Sequence, residues 1–290
     1  MGSPEMTRDK PLSRLLRGLA LVAVGLFFLF PLFWVFLMSF QTNEQILRIP
    51  PSVVFEPTLG NYVALISGKL ESAAGTLEIP FMRNLGNSVL LSGVSVALAL
   101  VLGVPAAYAF ARFRFRLGEN IAFTLLSFRF APPLLVLLPL SLYFQDLGLN
   151  DTYTGLIWVY QLIALPLILW IVRGYFEDIS PDIEHAYRLD GHSWWRSFTR
   201  IAIPLARPGI AAAGLLAFIF AWNNFIFALI LASADKQPVT VGALAFVTAS
   251  GIQYGQIAAA VILSIMPTLL LALYAQRYLV EGLSLGAVKG

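Results

Sequence analysis

The residues best suited to chemistry in this sequence are gathered in one polar segment, residues 180–208. It holds both histidines of the chain, His185 and His192, together with Glu184 and Asp190. Histidine and carboxylate side chains act as acids, bases and metal ligands. The sequence has no cysteine and no further histidine with which to complete a metal or thiolate site, and no serine–histidine–aspartate arrangement is indicated. We therefore expect neither catalytic residues nor a metal site.

The sequence also lacks the pattern of a nucleotide site. A phosphate-binding loop needs a Gly-Lys pair followed by Ser or Thr, whereas Gly68-Lys69 is followed by Leu70 and the sequence has no other such pair. If ATP drives this protein, the nucleotide and its magnesium must be bound by another chain. We expect no cofactor in this one.

The polar segment has the pattern of two short helices joined at a glycine. Ser180 followed by Pro181 is typical of a helix start, and Gly191 of a helix stop. Ser193 can cap a second helix that runs to Pro204. Apolar and aromatic side chains recur on one face of each helix. Such an element can dock onto a soluble partner or lie on a lipid surface, and the pattern fits both interpretations.

The remainder of the chain is apolar enough to hold this segment at a membrane. Of the 290 residues, 58% are hydrophobic and 12% charged, and the mean hydropathy is +0.78, whereas a soluble domain carries about 25% charged residues. The net charge of +3 includes no basic tract of the kind that binds nucleic acid. We predict an all-α integral membrane protein in the lipid bilayer. Six stretches are long and apolar enough to cross it: residues 15–40, 84–111, 119–144, 153–175, 209–232 and 256–279.

Lysine and arginine are unevenly distributed between the two sides of these spans. With a cytoplasmic N-terminus, fourteen of them fall on the inner side and four on the outer side. The positive-inside rule then places both termini and the polar segment in the cytoplasm. Residues 1–14 form the N-terminus, in which 1–5 look like an added leader. Residues 15–280 form the membrane domain, with a cytoplasmic loop at 176–208, and 281–290 form the tail.

Two features of the predicted spans bear on what they enclose. Arg129, beside Pro132 and Pro133, is a deeply placed charge that needs a cavity or a helix partner. It can contact a solute or bond to backbone carbonyls. The spans hold almost no carboxylates, which argues against a proton-driven carrier. Small residues also recur every fourth position in the second span and permit close helix approach: Ser95, Ala99, Gly103, Ala107 and Ala111.

Several short motifs, taken in order, resemble the binding-protein-dependent ABC importer permeases. Within that superfamily they are most similar to carbohydrate permeases related to the smaller membrane subunit of the maltose system. Glu184-His185-Ala186 with Asp190-Gly191, followed by Ile203-Pro204-Leu205, resembles the EAA loop of these proteins. Further motifs shared with the family are Asn84 with Asn87-Ser88, Arg129 with Pro132-Pro133, Phe220-x-Trp222-Asn223 and the tail 286–290. Asn224, directly after the Trp-Asn pair, departs from the family, which often has an acidic residue there.

The resemblance implies a function and a set of partners. The chain would be the permease subunit of an ABC importer for a sugar, polyol or glycerol-type solute, in a bacterial or archaeal cytoplasmic membrane. A second homologous permease would supply the other half of the pathway. Glu184, Ala186, Asp190 and Gly191 would shape the contact with a cytoplasmic ATPase dimer, which binds ATP and magnesium. Residues 233–255 would reach towards an extracytoplasmic solute-binding protein.

The candidate pathway residues are Arg129, Trp222, Asn223 and Asn224. Aromatic and amide side chains offer a polyhydroxy solute an apolar face, donors and acceptors, although helix packing explains these residues as well. A stand-alone secondary carrier or channel and a membrane assembly factor are the alternatives. A carrier or channel should show midplane carboxylates, inverted repeats or a selectivity ring, and the sequence shows none of them.

Overall fold

The structure, a computed structural model, is almost entirely helical and describes residues 11–50, 54–72, 75–113, 116–248 and 251–286. The expected leader and residues 287–290 of the expected tail lie outside the described residues. The helices are α1 (Pro11–Met38), α2 (Asn43–Ile46), α3 (Gly60–Ser67), α4 (Phe81–Arg112), α5 (Gly118–Ser127), α6 (Pro133–Asp146), α7 (Tyr153–Asp178), α8 (Pro181–Leu189), α9 (Trp194–Ser197), α10 (Ile203–Leu205), α11 (Arg207–Trp222), α12 (Ile226–Leu231), α13 (Val239–Gly242) and α14 (Tyr254–Gly286). Two short antiparallel hairpins lie in connecting segments: β1 (Lys69–Ser72) with β2 (Gly75–Glu78), and β3 (Val247–Thr248) with β4 (Gly251–Ile252).

The predicted membrane fold is confirmed, and two of its spans differ in detail. Four helices, α1, α4, α7 and α14, are each long and apolar enough to cross a bilayer. Two bent pairs, Gly118–Phe130 with Pro133–Asp146 and Trp194–Leu205 with Arg207–Trp222, bring the number to six when each pair is counted as one span. Two of the predicted stretches are interrupted, residues 119–144 between Phe130 and Pro133 and residues 209–232 between Trp222 and Ile226.

The physical cause of the first interruption is a pair of prolines. Gly118–Phe130 and Pro133–Asp146 meet at an angle of 98°. Ala131 and Pro132 have ψ angles of 130° and 121°, because a residue that precedes proline is pushed out of the helical region. Pro133 then starts α6 at a position where a missing N–H costs nothing. In the other interrupted stretch α11 ends at Trp222 and α12 begins at Ile226.

The chain divides into two compact units, and the first contains residues 1–67 and 246–263. Its described part is held together by two asparagines. Asn61 donates to the carbonyls of Ser39 and Gln41, each at 2.9 Å. Asn43 donates to the carbonyl of Ile252 at 3.1 Å and to the side chain of Gln253 at 2.8 Å. The Asn61 bonds fasten α3 to the end of α1, and the Asn43 bonds fasten the short α2 to the hairpin before α14.

The second unit, residues 68–245 and 264–290, has α4, α7 and α11 at its core. The predicted small-residue face of α4 is confirmed, since Ser95, Ala99, Gly103 and Ala107 are buried. A Cβ atom on Gly103 would lie 3.0 Å from the side chain of Ile168. The absence of that atom lets α4 and α7 approach closely, and their packing forms the frame that carries both candidate sites.

The start of α7 leaves no room for a side chain at Gly155. A Cβ atom there would lie 2.1 Å from the carbonyl oxygen of Leu149, which already accepts a hydrogen bond from Thr152. We expect Gly155→Ala to lower the stability by about 1–3 kcal/mol, the usual cost of forcing extra volume into a packed site. Thermal unfolding of the purified chain in detergent measures it.

Gly174→Ala is the matched control, because it lies in the same helix and a Cβ atom there meets nothing within 4 Å. Its melting temperature should equal or exceed that of the wild type, since alanine favours helix over glycine. Equal melting temperatures for the two variants would contradict the described contact.

Candidate functional site

The polar segment adopts the predicted helix–glycine–helix form. The Oγ atoms of Ser180 and Ser193 accept hydrogen bonds from the N–H groups of Asp182 and Arg196, each at 3.3 Å, and so cap the two helices. Gly191 lies between the helices with φ +86°, a conformation that side chains disfavour. The position of this turn therefore depends on a glycine.

The second helix continues further than its first turn and then bends. It passes through a π turn at Phe198–Ala202 into α10, and the helical run Trp194–Leu205 meets α11 at 73°. Pro204 explains the irregularity, because it cannot donate to the carbonyl four residues earlier. Single π turns often mark functional positions in helices. The polar segment thus joins the apolar core through a bend rather than a straight helix.

The carboxylate of Glu184 is buried, with 1% of the residue exposed. It accepts hydrogen bonds from the Tyr108 hydroxyl, from Nε of Arg112 at 2.7 Å and from the Ser197 hydroxyl at 3.3 Å. Arg112 also donates to the carbonyl of Ile179 at 3.0 Å. The Arg112–Glu184 ion pair is nearly inaccessible to solvent. Glu184 therefore faces its own chain.

The other predicted docking residues face outward. Ala186, Asp190 and Gly191 are exposed, and Leu189 between them is 88% exposed. The four predicted residues thus divide into one inward and three outward positions, and their part in docking stays a prediction. Leu189 was missed by the sequence reasoning, although an apolar residue at a polar helix end was a usable signal.

Two ring contacts hold the corner around Gly191. The rings of Tyr187 and His192 lie 4.1 Å apart, and the guanidinium of Arg188 lies 3.6 Å above the ring of Trp194. Cation–π contacts of this kind stabilise an exposed pair modestly.

In the part of the chain that the structure describes, no three His, Cys, Asp or Glu side chains form a group able to hold a metal ion.

A cavity of about 440 Å³ brings together three of the four predicted pathway residues, Arg129, Asn223 and Asn224. Trp222 is not among its walls; it is 4% exposed and its ring stacks on Phe218 at 5.5 Å. The rest of the wall is apolar: Phe128, Ala131, Pro133, Val136, Leu162, Ile163, Phe220, Phe225, Ile226 and Phe227.

Arg129 combines the two roles that the sequence left open. One of its N–H groups donates to the carbonyl of Ile163 at 3.2 Å, and its guanidinium lies 4.1 Å from the centre of the Phe220 ring. The same side chain forms part of the cavity wall. Because guanidinium carries five donors, one bond to the backbone leaves others for a solute.

Asn223 and Asn224 differ in how their amides are engaged. Asn223 donates to the carbonyl of Ile219 at 2.8 Å. The Oδ1 atom of Asn224 is buried and has no hydrogen-bond partner within the described residues. A buried acceptor without a partner is costly; because this oxygen is enclosed, a solute hydroxyl would reach it only after the Asn224 side chain moves.

The cavity lies where both interrupted stretches lose their helical structure. Its walls include Ala131 and Pro133, at the break between α5 and α6, and Asn223 and Phe225, at the break between α11 and α12. Non-helical backbone within a membrane is tolerated where it lines a cavity, and transporters place binding sites at such discontinuous helices.

A larger groove of about 600 Å³ lies between α4, α11 and α14. Its wall is apolar except for Arg207 and the hydroxyl of Tyr274. Hydrocarbon suits such a surface better than a polar solute does. The smaller cavity is therefore the better candidate for the pathway.

The first part of the predicted outer segment, residues 233–245, is fastened to α4. Asn87 donates to the carbonyls of Asp235 at 2.9 Å and Gln237 at 3.0 Å, and Ser88 accepts from the N–H of Val239 at 2.8 Å. The hydroxyl of Tyr153 donates to Asn87 at 2.8 Å, which ties α7 to the same point.

Asp151 holds the start of this segment. Its carboxylate accepts from the N–H of Ser233 at 2.9 Å and from the ammonium of Lys236 at 3.2 Å. The bonds from Ser233, followed by the ammonium of Lys236, lower the pKa of this carboxyl below its ordinary value. The segment is thus positioned by one helix end and one charged loop residue.

Comparison with known proteins gives consistent results. The family model described as "Binding-protein-dependent transport system inner membrane component" matches residues 99–284. The chain is 34% identical to the trehalose transport system permease protein SugB of Mycobacterium tuberculosis, over 100% of both chains. It is 32% identical to the trehalose/maltose transport system permease protein MalG of Thermococcus litoralis, over 98% of this chain and 99% of that one.

Two solved structures share the fold. One belongs to a bacterial ABC transporter involved in the import of the acidic polysaccharide alginate (TM-score 0.73, 23% identity, 95% of this chain and 99% of that chain). The other is a bacterial alginate ABC transporter in complex with an alginate pentasaccharide-bound periplasmic protein (TM-score 0.61, 17% identity, 93% and 95%). At these identities the similarity concerns the fold alone.

Proposed function

Because the chain belongs to the family of binding-protein-dependent transport system inner membrane components, we propose that it forms half of the solute pathway of an ATP-driven importer. It is a multi-pass membrane protein and the permease subunit of an ABC importer. The observation that carries the proposal is the cavity between the two interrupted stretches, with Arg129 and Asn224 in its wall. Family membership disfavours the stand-alone carrier.

The proposed solute is a sugar, a polyol or a glycerol-type molecule. Phe220 and Phe225 offer apolar faces in the cavity wall, while Arg129 and the Asn224 amide offer donors and an acceptor. Polyhydroxy solutes combine apolar C–H faces with hydroxyl groups and are complementary to such a wall. The names of the relatives, which include maltose and trehalose permeases, favour the same class.

The proposed partners follow from the surfaces that the chain presents. A cytoplasmic ATPase dimer would bind ATP and magnesium and receive the exposed side of the polar segment around Leu189. The chain itself would be non-catalytic and hold no cofactor. A second homologous permease would complete the pathway. An extracytoplasmic solute-binding protein would contact residues 233–255, a proposal that the complex of the alginate transporter with a periplasmic protein supports.

The proposed orientation places both termini and the polar segment in the cytoplasm. The excess of arginine on that side supports it, and residues 233–245 then lie on the outer face. The chain contains no cysteine, so single introduced cysteines report sidedness directly. Leu189 and Ala234, both exposed, lie in the polar segment and in the outer segment.

We expect Ala234→Cys to react with a membrane-impermeant maleimide on intact cells. Leu189→Cys, in cells that express the chain without the ATPase that would cover this position, should react only after the membrane is permeabilised. The cysteine-free chain is the blank, and gel shift of the labelled chain is the measurement. Labelling of Leu189→Cys in intact cells would show that the polar segment lies outside and would contradict the proposed orientation.

The coupling role of Gly191 is tested in vesicles that contain the permease pair, the ATPase and the solute-loaded binding protein. Valine at a position with φ +86° strains the turn, so we expect Gly191→Val to lower solute uptake per ATP hydrolysed about tenfold, equivalent to about 1.4 kcal/mol. Membrane insertion should be unchanged.

Gly148→Val is the matched control, because Gly148 has φ +65° and open space around it but lies outside the polar segment. It imposes a similar backbone strain without touching the proposed coupling. Normal uptake per ATP in Gly191→Val would contradict the proposed coupling role of Gly191. Uptake by the wild type without ATP would contradict the proposal that the chain belongs to an ATP-driven importer.

The pathway assignment is tested with two cavity variants. We expect Asn224→Ala and Arg129→Gln each to lower uptake about tenfold, since each removes a hydrogen-bonding group worth about 1–1.5 kcal/mol. Trp222→Phe, at the neighbouring position outside the cavity wall, should transport normally. Uptake that falls only in Trp222→Phe would move the pathway elsewhere.

A further inference from the structure

We infer that Glu184 is a positioning residue that clamps the polar segment to α4, and that α4 carries the movement of that segment to the outer segment, residues 233–245. The inference rests on the proposed function, because it assumes that an ATPase docks on the polar segment. It differs from the expectation for Glu184 as a docking contact. The carboxylate acts inside the chain.

The first step is the burial of the Glu184 carboxylate and the identity of its partners. Two of its three hydrogen-bond donors, Tyr108 and Arg112, lie one turn apart at the end of α4. The third, Ser197, ends α9 in the second helix of the polar segment. Removing one partner of a buried ion pair is strongly destabilising, since the other charge is left uncompensated. The two helices of the segment and α4 are therefore held at one point.

The second step is the aromatic packing around this point. The ring of Tyr108 lies 4.7 Å from that of Phe198 and 5.4 Å from that of Phe176. Phe113, directly after α4, lies 5.1 Å from Trp194. These aromatic contacts join α4 to the second helix of the polar segment a second time, through apolar packing in addition to the hydrogen bonds. Such packing resists sliding of one element past the other.

The third step is the connection between α7 and the polar segment, since a flexible connection there would let the segment move independently of α4. Arg112 donates its second hydrogen bond to the carbonyl of Ile179, the residue between α7 and the cap of α8. The same guanidinium thus fixes the entry to the segment and neutralises Glu184. On the exit side the segment meets α11 through the 73° bend. A displaced segment would therefore move α4 with it.

The fourth step is the opposite end of α4. The helix is one element of 32 residues, about 48 Å long at 1.5 Å per residue. Near its start Asn87 donates hydrogen bonds to the carbonyls of Asp235 and Gln237, and the Ser88 hydroxyl accepts one from the N–H of Val239. One helix thus connects the proposed ATPase side with the segment proposed to meet the binding protein.

The experiment measures coupling in the reconstituted complex with maltose as the probe solute and, in parallel, the solute that stabilises the binding protein in a thermal-shift screen. The variants are Glu184→Gln, Tyr108→Phe and their double variant, together with Asn87→Ala at the opposite end of α4. Glu177→Gln is the control, because it also removes a carboxylate that pairs with an arginine, at an exposed place on α7. The readouts are the ATPase retained on purification, the rate of ATP hydrolysis, and uptake per ATP hydrolysed.

We expect Glu184→Gln to retain the ATPase and to hydrolyse ATP, while uptake per ATP falls about tenfold, as for one charge-assisted hydrogen bond lost. Tyr108→Phe should shift the same ratio in the same direction. The double variant should be no worse than Glu184→Gln, because groups in one network are not additive. Glu177→Gln should match the wild type. Asn87→Ala should lose about tenfold of the stimulation of ATP hydrolysis by loaded binding protein.

Two results would overturn the inference. Loss of the ATPase from Glu184→Gln, with Tyr108→Phe unchanged, would make Glu184 a direct docking contact. Normal uptake per ATP in Tyr108→Phe and normal stimulation in Asn87→Ala would show that α4 carries no movement. Tyr108→Phe keeps the packed ring, so it decides the matter should Glu184→Gln fail to fold. Failure of the wild-type complex to couple ATP to uptake counts against the proposed function instead.

Discussion

Hydrocarbon offers no hydrogen bonds, and this constraint decides where the chain can depart from regular helix. Each unpaired backbone group in lipid costs several kcal/mol, so a break needs protein or a polar cavity around it. Ala131 and Pro133 at one break and Asn223–Phe225 at the other line the same cavity. Arg129 supplies a donor there to the Ile163 carbonyl. The close packing of α4 on α7, made possible by small residues such as Gly103, provides the rigid frame that supports both breaks.

The polar segment follows a different rule, because its single buried charge faces inward. Glu184 would be expelled to solvent were it not for Arg112, Tyr108 and Ser197. Buried ion pairs contribute little net stability and serve better to specify one arrangement. The outward side, which includes Leu189 and Gly191, is exposed to solvent. The segment thus has an inner side that fixes its place and an outer side that is available to a partner.

Local signals in the sequence were sufficient for much of this arrangement. Ser180, Pro181, Gly191 and Ser193 determine caps and turns through nearest neighbours, and the structure has them as expected. The long apolar stretches predicted α1, α4, α7 and α14 in the same way. The burial of Glu184 could not be predicted, because it depends on Tyr108, 76 positions away in sequence. The cavity could not be predicted either, since Arg129 and Asn224 meet only through packing, and Trp222, between Ala221 and Asn223, gave no sign that its ring turns away from the cavity.

The sparse polar wall of the cavity has a kinetic consequence. A dissociation constant of 1 mM corresponds to about 4 kcal/mol, and a net hydrogen bond gives about 1 kcal/mol. Under the proposed function, the Asn224 acceptor and the remaining donors of Arg129, set with Asn223 in an otherwise apolar wall, would hold a polyhydroxy molecule only briefly. Short residence is what a conduit requires, because a tightly held cargo would slow every turnover. A permease built this way favours throughput over retention and leaves tight capture to a protein that does not have to let the cargo pass.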